Sequence, residues 1–179
     1  MCKNAFSRGL CIMPRFLVVL FGCLVLAGCS GADITTEQPS FYASMANASA
    51  RLDANAAASM ISQYRQNNGL GAVTIDPELM AAAEAQSRAM AARNKLDHDV
   101  AGALGKRIKA SGFNAAKAVE NISAGYHTMA EAFSGWRDSP SHRANMLATG
   151  VNRLGIAAVY APNSKYKVFW TMILAAPDR

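Results

Sequence analysis

Hydrophobic and polar positions follow a helical period through the first two thirds of the chain and an extended one near its end. Residues 54–67 carry apolar side chains at the spacing of one helix face, and residues 77–93 repeat this spacing with many alanines. Asp76 is a suitable N-cap for the second helix, and Pro77 suits its first position because no N–H is needed there. The alanines predict that this helix packs closely against a neighbour.

Shorter elements are predicted in the middle of the chain. We expect a third helix over residues 101–110 and a strand beginning in the run AVENISA at residues 118–124. Thr128 and Glu131 have the spacing of a capping box, in which each side chain satisfies a first-turn donor of the same helix. The helix that they open should end at residues 139–140.

The Ser139–Pro140 step predicts that one helix ends and another begins at the same place. Serine is a good N-cap, and proline fits the first helical position. His142 then lies in a first turn, where the positive end of the helix dipole disfavours the imidazolium. A neutral imidazole is the form that accepts a proton or binds a metal.

The last thirty residues change to an extended pattern. Residues 153–161 and 166–176 are rich in β-forming side chains, and residues 162–165 between them give a hairpin signal. Helices followed by a closing antiparallel meander indicate an α+β layered domain.

The N-terminal 28 residues have the features of a secretion signal. A basic start precedes the apolar run 16–27, whose twelve residues are fewer than the roughly 20 that a membrane-spanning helix needs. Small residues then lead to Cys29, as in a bacterial lipobox, where the cysteine is lipidated and becomes the mature N-terminus. The alternative is an ordinary secretory signal in which the cysteine occurs by chance.

This leader divides the chain into three predicted parts. They are a lipoprotein signal peptide at 1–28, lipid attachment and a tether at 29–51, and a folded domain at 52–179. Lipidation would anchor the protein to the cell envelope, facing the periplasm or the exterior. Ser30 is not the aspartate associated with inner-membrane retention, so an outer membrane is favoured where the organism has one.

Removing the leader changes the charge and the cysteine count. The whole chain has 18 Lys and Arg against 12 Asp and Glu, and the leader takes three of the basic residues, so a net charge of +6 becomes +3. Cys2, Cys11 and Cys23 leave with the leader, and lipid consumes Cys29. The mature domain therefore depends on its core and not on disulfides. Its basic residues are scattered, so we predict no nucleic-acid partner.

Candidate chemistry rests on a few polar residues. His98 lies in a polar loop, and Glu120 lies among apolar neighbours in the predicted strand. A carboxylate buried there needs a partner, and a histidine or a cation would serve. HExxH and paired cysteines are absent, so these spacings alone do not predict a metal site. His127, beside the capping Thr128, is predicted to be a surface residue.

The motifs together resemble the CAP superfamily, which includes cysteine-rich secretory proteins, insect antigen 5 and plant pathogenesis-related proteins. The resemblance covers about residues 52–175. It rests on Glu120–Ile122, Trp136, the string SPSHRANML at 139–147, the strand at 154–157 and the aromatic strand at 169–171. The first helix, with Tyr64 and Arg65 near its end and the pair GL at 69–70 beyond it, also fits.

The resemblance implies a three-layer α-β-α sandwich with a cleft lined by two histidines and two acids. Matched residue by residue, the histidines are His98 and His142 and the first acid is Glu120, whereas Ser139 stands at the second acid's position. Two imidazoles and one carboxylate suit a divalent cation, zinc first, with His98 and His142 as the implied metal ligands.

Three functional hypotheses follow. We favour a binding module that is not an enzyme, whose cleft holds an envelope lipid, glycan or protein, because the family is rarely shown to be catalytic and the second acid is missing. The alternative is a metal-assisted hydrolase of envelope peptide or glycan, with Glu120 as the candidate catalytic residue that orients or deprotonates water. In a third reading, His98, Glu120 and His142 form a structural network without a ligand.

Overall fold

The structure is a computed structural model that describes residues 38–178. The predicted signal peptide and the lipidation site Cys29 lie outside the described residues and stay predictions. Within the described part of the chain, no helix combines the length and apolar character needed to cross a membrane.

Five helices and four strands make up the described domain. The helices are α1 Ala54–Asn67, α2 Pro77–Arg93, α3 Leu104–Ala110, α4 Met129–Asp138 and α5 Pro140–Met146, preceded by a 3₁₀ turn at Ser40–Tyr42. The strands are β1 Thr74–Ile75, β2 Ala115–Ala124, β3 Arg153–Tyr160 and β4 Val168–Pro177.

The first two helices have the predicted bounds because local caps fix where they start. Asp76 accepts hydrogen bonds from the first-turn amides of α2, and Asp53 does the same for α1. The third helix begins at Leu104, three residues later than predicted, because a turn with Gly102 at a φ of 95° precedes it. Strand β2 starts three residues earlier than predicted, at Ala115.

The sheet has the strand order β1-β3-β4-β2. Strand β4 pairs antiparallel with both β3 and β2, and β1 pairs parallel with the start of β3. The predicted hairpin is present, but it does not close the sheet as a simple meander. Strand β4 lies between β3 and β2, because the chain returns to pair with a strand formed earlier. The predicted α+β class is confirmed.

Helices cover both faces of the sheet and give the three predicted layers. Helices α2 and α3 pack on one face, and α1, α4 and α5 pack on the other. The alanine-rich α2 approaches the sheet very closely, as predicted. A Cβ placed on Gly155 of β3 would lie 2.1 Å from the carbonyl oxygen of Leu79 in α2.

Part of the predicted tether packs on the domain. Met45 is buried, and its N–H donates to the carbonyl of His127 at 2.7 Å. The Ser40 hydroxyl donates to the Asp53 carboxylate at 2.7 Å. The packed chain therefore begins before the predicted boundary at residue 52, because apolar side chains in residues 41–50 join the core.

Candidate functional site

Glu120 is the centre of a buried ionic cluster. Its side chain is 4% exposed, and both of its carboxylate oxygens are occupied. Oε1 lies 2.7 Å from His98 Nδ1, and Oε2 accepts from Arg107 Nη2 at 2.8 Å. The histidine is one of the two partners that the sequence predicted for this carboxylate. Arg107, from α3, is a second partner that sequence reasoning missed.

Hydrogen bonds fix the backbone of His98, whereas its side chain is exposed. Its carbonyl accepts from Gln86 Nε2 at 3.0 Å and from Arg107 Nη2 at 3.2 Å, whereas its side chain is 54% exposed. Because an ionised carboxylate only accepts hydrogen bonds, the Glu120 contact assigns the proton to His98 Nδ1. In the neutral ring, Nε2 is then left as a fixed acceptor for another molecule.

His142 lies in the first turn of α5, as predicted. Burial lowers the pKa of His142 below its ordinary value of 6.5, and the nearby charge of His98 lowers it further. The predicted direction is therefore confirmed, but the main cause is burial and not the helix dipole. The predicted Ser139 cap is wrong in one respect. Ser139 occupies the N-cap position, but its side chain makes no capping hydrogen bond.

Two asparagines fasten α5 to the edge of β2. Asn121 Nδ2 donates to the carbonyl of His142 at 2.9 Å. Asn145 Nδ2 donates to the carbonyl of Glu120 at 2.9 Å and to Asn121 Oδ1 at 3.0 Å. Successive strand side chains point to opposite faces, so Glu120 contacts one helix layer and Asn121 the other. His98 and His142 therefore approach this edge of the sheet from the two helix layers.

Arg65 fixes the far end of α5. The side chain is 1% exposed and donates to four backbone carbonyls, those of Gly71, Met146, Ala148 and Val151. Sequence reasoning missed this role. The available signal was spacing, since Arg65 lies four residues after the buried Ile61 and therefore on the buried face of α1.

The family-model comparison matches residues 58–174 to the cysteine-rich secretory protein family, CAP. The chain belongs to the CAP family. It is 33% identical over 97 residues to the protein YkwD of Bacillus subtilis, an alignment that covers 53% of this chain and 38% of that protein. The matched part of this CAP domain thus spans well under half the length of that relative.

Solved structures support the same fold. An extracellular protein of Bacillus anthracis that contains an SCP domain aligns with a TM-score of 0.60 and 25% identity, over 68% of this chain and 39% of that one. An outer surface protein of Borrelia burgdorferi aligns with a TM-score of 0.62 and 19% identity, over 70% of this chain and 93% of that one. The second likeness concerns the fold alone.

The residues around Glu120 do not offer three protein ligands to a metal. Among residues 38–178, no group of three or more His, Cys, Asp or Glu side chains lies close enough to hold one ion. Glu120 gives both oxygens to His98 and Arg107, and Ser139 replaces the second acid. The implied set of two imidazoles and one carboxylate therefore does not fit. His98 Nδ1 is paired with Glu120, whereas His98 Nε2 and both ring nitrogens of His142 make no hydrogen bond within the described chain.

Two residues of the cluster around Glu120 were hard to predict from the local sequence pattern. Gln86 lies on the buried face of α2, seven residues after Leu79 and four before Met90, so its spacing indicated burial. Arg107 adjoins Ile108 in a short helix, and nothing in the local pattern distinguished it from the exposed basic residues nearby. Its partner lies 13 positions further along the chain. His127, predicted to be at the surface, is exposed.

Proposed function

We propose that this protein is an extracytoplasmic, lipid-anchored CAP domain that binds an envelope ligand at the cleft of His98 and His142 without catalysing its turnover. The observation that carries the proposal is the arrangement of His98, which is half exposed and yet fixed by a buried ion pair. A rigid imidazole that presents one free nitrogen is suited to binding because little conformational freedom is lost when a ligand engages it. The ligand classes are lipid, glycan and protein.

Catalysis is disfavoured because Glu120, the candidate general base, is not free to take a proton. A general base must be within hydrogen-bond reach of the proton that it takes. Glu120 is 4% exposed, and each of its oxygens already has a partner. The position of the second family acid is occupied by Ser139.

The location is part of the proposal. The Bacillus anthracis protein is described as extracellular, which supports an extracytoplasmic place for this chain. The predicted signal peptide and Cys29 supply the anchor, facing the periplasm or the exterior, and Ser30 favours an outer membrane. Replacing Cys29 by serine should abolish incorporation of labelled palmitate in cells. Undiminished labelling would contradict the anchor.

Binding is tested by calorimetric titration of the full chain in detergent micelles. The probes are soluble disaccharide-peptide fragments of peptidoglycan and a short-chain phospholipid, titrated separately. Saturable heat that is lost in the His98→Ala/His142→Ala double variant and kept in His127→Ala supports the proposal. Binding that the double variant retains would place the ligand elsewhere.

The metal-assisted hydrolase remains the alternative because of one contact. A histidine whose second nitrogen donates to a carboxylate is the usual arrangement of a metal-ligating imidazole, and His98 has it with Glu120. Titration with zinc separates the alternatives. Stoichiometric zinc binding that disappears in the His98→Ala/His142→Ala variant would favour the hydrolase and justify assays on peptide and glycan. If neither zinc nor the other probes bind, the cluster is a structural network.

A further inference from the structure

Strand β3 has a free edge along most of its length. Its first two residues, Arg153 and Leu154, pair with β1, which then ends as α2 begins at Pro77. From Gly155 to Tyr160, β3 has β4 on one side and no strand on the other among the residues that the structure describes.

The hydrogen bonds that flank this edge fix which backbone groups face outward. The N–H of Ala161 donates to Lys167 at 2.8 Å, on the side of β4. The carbonyl of Leu154 accepts from Asp76, and the N–H of Ile156 contacts the sulfur of Met80 at 3.2 Å, both on the opposite side. In an antiparallel pair, successive residues of a strand direct their N–H and C=O groups alternately toward the partner strand and away from it. Even-numbered residues of β3 therefore face away from β4.

Ala158 and Tyr160 consequently direct their N–H and C=O groups toward the free edge. No hydrogen bond joins these four groups to any other residue in the 38–178 region. Both residues are half-buried. A row of unpaired N–H and C=O groups at a sheet edge can pair with another strand, and proteins commonly cover or protect such edges.

Two adjoining grooves run along this edge. Their volumes are about 530 and 610 Å³, and Leu52, Glu84 and Ala158 line both. Helix α2 forms one wall, and residues 47–52 form much of the other. The five residues from Ile156 to Tyr160 would span about 17 Å at the usual strand rise, which is the length of a five-residue partner strand.

The other edge of the sheet, along β2, is bridged by side chains. Asn145 donates to the carbonyl of Glu120, and Lys117 Nζ donates to the carbonyl of Thr149 at 2.8 Å. The carbonyl of Glu120 is therefore already used, and side chains tie β2 to the segment after α4. In contrast, no side chain of the described residues makes a hydrogen bond to the backbone N–H or C=O of Ala158 in β3.

We infer that the free edge of β3 binds an extended segment of a partner polypeptide, which adds a fifth strand to the sheet. Main-chain hydrogen bonds to Ala158 and Tyr160 would supply the affinity, and the grooves would receive alternate side chains. In the groove, Glu84 is already paired with Arg88, whereas Arg51 has no ion pair in the described chain and donates only to the carbonyls of Ala48 and Ala50. The segment should therefore carry an acidic residue opposite Arg51.

This surface is separate from the histidine cleft. The cleft lies at β2, and β2 and β3 are separated by β4 in the sheet. Binding at the edge is therefore independent of the proposed ligand site, and variants of His98 or His142 should leave it unchanged.

The test uses a phage library of random ten-residue peptides, selected against the full chain in detergent micelles. An enriched peptide is then added to labelled protein, and amide exchange is followed by NMR. Without peptide, the amides of Ala158 and Tyr160 should exchange faster than those of Ala157 and Val159, which face β4. Saturating peptide should slow Ala158 and Tyr160 by at least about tenfold and leave the other two unchanged, as expected when new main-chain hydrogen bonds form.

The Ala158→Pro variant and a modified peptide are the controls. Proline is tolerated where an edge N–H faces outward, so this change should remove the donor and weaken peptide binding, whereas Ala158→Ser should not. A peptide that is N-methylated at alternate residues should also lose binding. If Ala158→Pro does not fold, the exchange measurement on the unmodified chain still shows whether the peptide pairs with β3.

Three results would overturn the inference. The first is that no peptide is enriched over selection against Ala158→Pro. The second is a bound peptide that leaves exchange at Ala158 and Tyr160 unchanged, or that binds equally well when N-methylated. The third is that these amides are protected in the absence of peptide and that their protection increases with protein concentration. The edge would then bind a second copy of the chain.

Discussion

Replacing Glu120 by glutamine removes one charge from the buried cluster and keeps its shape. The glutamine side chain has one accepting oxygen and one NH₂ group that only donates. With the amide oxygen toward Arg107 Nη2, the NH₂ group faces His98 Nδ1, and the imidazole must move its proton to Nε2 to accept that hydrogen bond. Arg107, 6% exposed, would also lose the carboxylate that balances its charge.

The expected loss of stability follows from that burial. Removing one partner of a buried ion pair costs about 3–5 kcal/mol, and the hydrogen bond that glutamine keeps offsets about 1 kcal/mol. We therefore expect Glu120→Gln to lower the free energy of unfolding by about 2–4 kcal/mol. For a domain of this size, that corresponds to a fall in Tm of roughly 6–12 °C.

Glu84→Gln is the matched control, because the carboxylate of Glu84 is paired with Arg88 at the exposed surface of α2. Surface pairs of this kind contribute less than about 0.5 kcal/mol. Urea unfolding followed by tryptophan fluorescence measures both variants. The double variant Glu120→Gln/Arg107→Met should regain part of the lost free energy of unfolding, since it buries no unpaired charge. If Glu120→Gln is no less stable than Glu84→Gln, the reasoning about the cluster is wrong.

Changes elsewhere in the domain should have equally distinct effects. Arg65→Met leaves four backbone carbonyls without their donor and should lower the free energy of urea unfolding by at least about 4 kcal/mol; a loss below 1 kcal/mol would contradict the bracing role. Gly155→Ala drives a methyl group into the carbonyl of Leu79 and should cost about 3 kcal/mol or more, whereas Gly71→Ala, with open space around it, should stay within about 0.5 kcal/mol. Because the pKa of His142 is lowered in the folded chain, the unfolded chain binds a proton at this residue more readily, so stability should fall as the pH drops below 6.5. Thermal unfolding between pH 5 and 8 should show a smaller fall in Tm for His142→Gln. An unchanged dependence of Tm on pH in this variant would refute the role given to His142.

The sequence was most informative where structure is decided locally. Helices α1 and α2 begin where predicted because Asp53 and Asp76 cap them through side chains only two or three residues away from the amides that they accept. The need of Glu120 for a partner was also predictable, since an ionised group in an apolar strand is costly when unpaired.

Features that depend on contacts between distant parts of the chain were not predictable in this way. Arg107 and Glu120 belong to different elements, and only the packing of α3 on β2 brings them together. The lowered pKa of His142 was predicted from a local dipole, but its main cause is burial by the rest of the fold. The central place of β4 likewise follows from a pairing with β2, formed more than forty residues earlier in the chain.

Ligand binding at His98 and His142 can be observed by NMR of the full chain with ¹⁵N-labelled histidine, titrated with the peptidoglycan fragments and the phospholipid. His98 contacts Glu120 of β2 and the carbonyl of His142 accepts from Asn121 of β2, whereas the exposed His127 serves as the internal control. We expect the His98 and His142 resonances to shift together and saturate with one of these ligands, while the His127 resonance stays unchanged. Shifts of equal size at all three histidines, or at His127 alone, would contradict it.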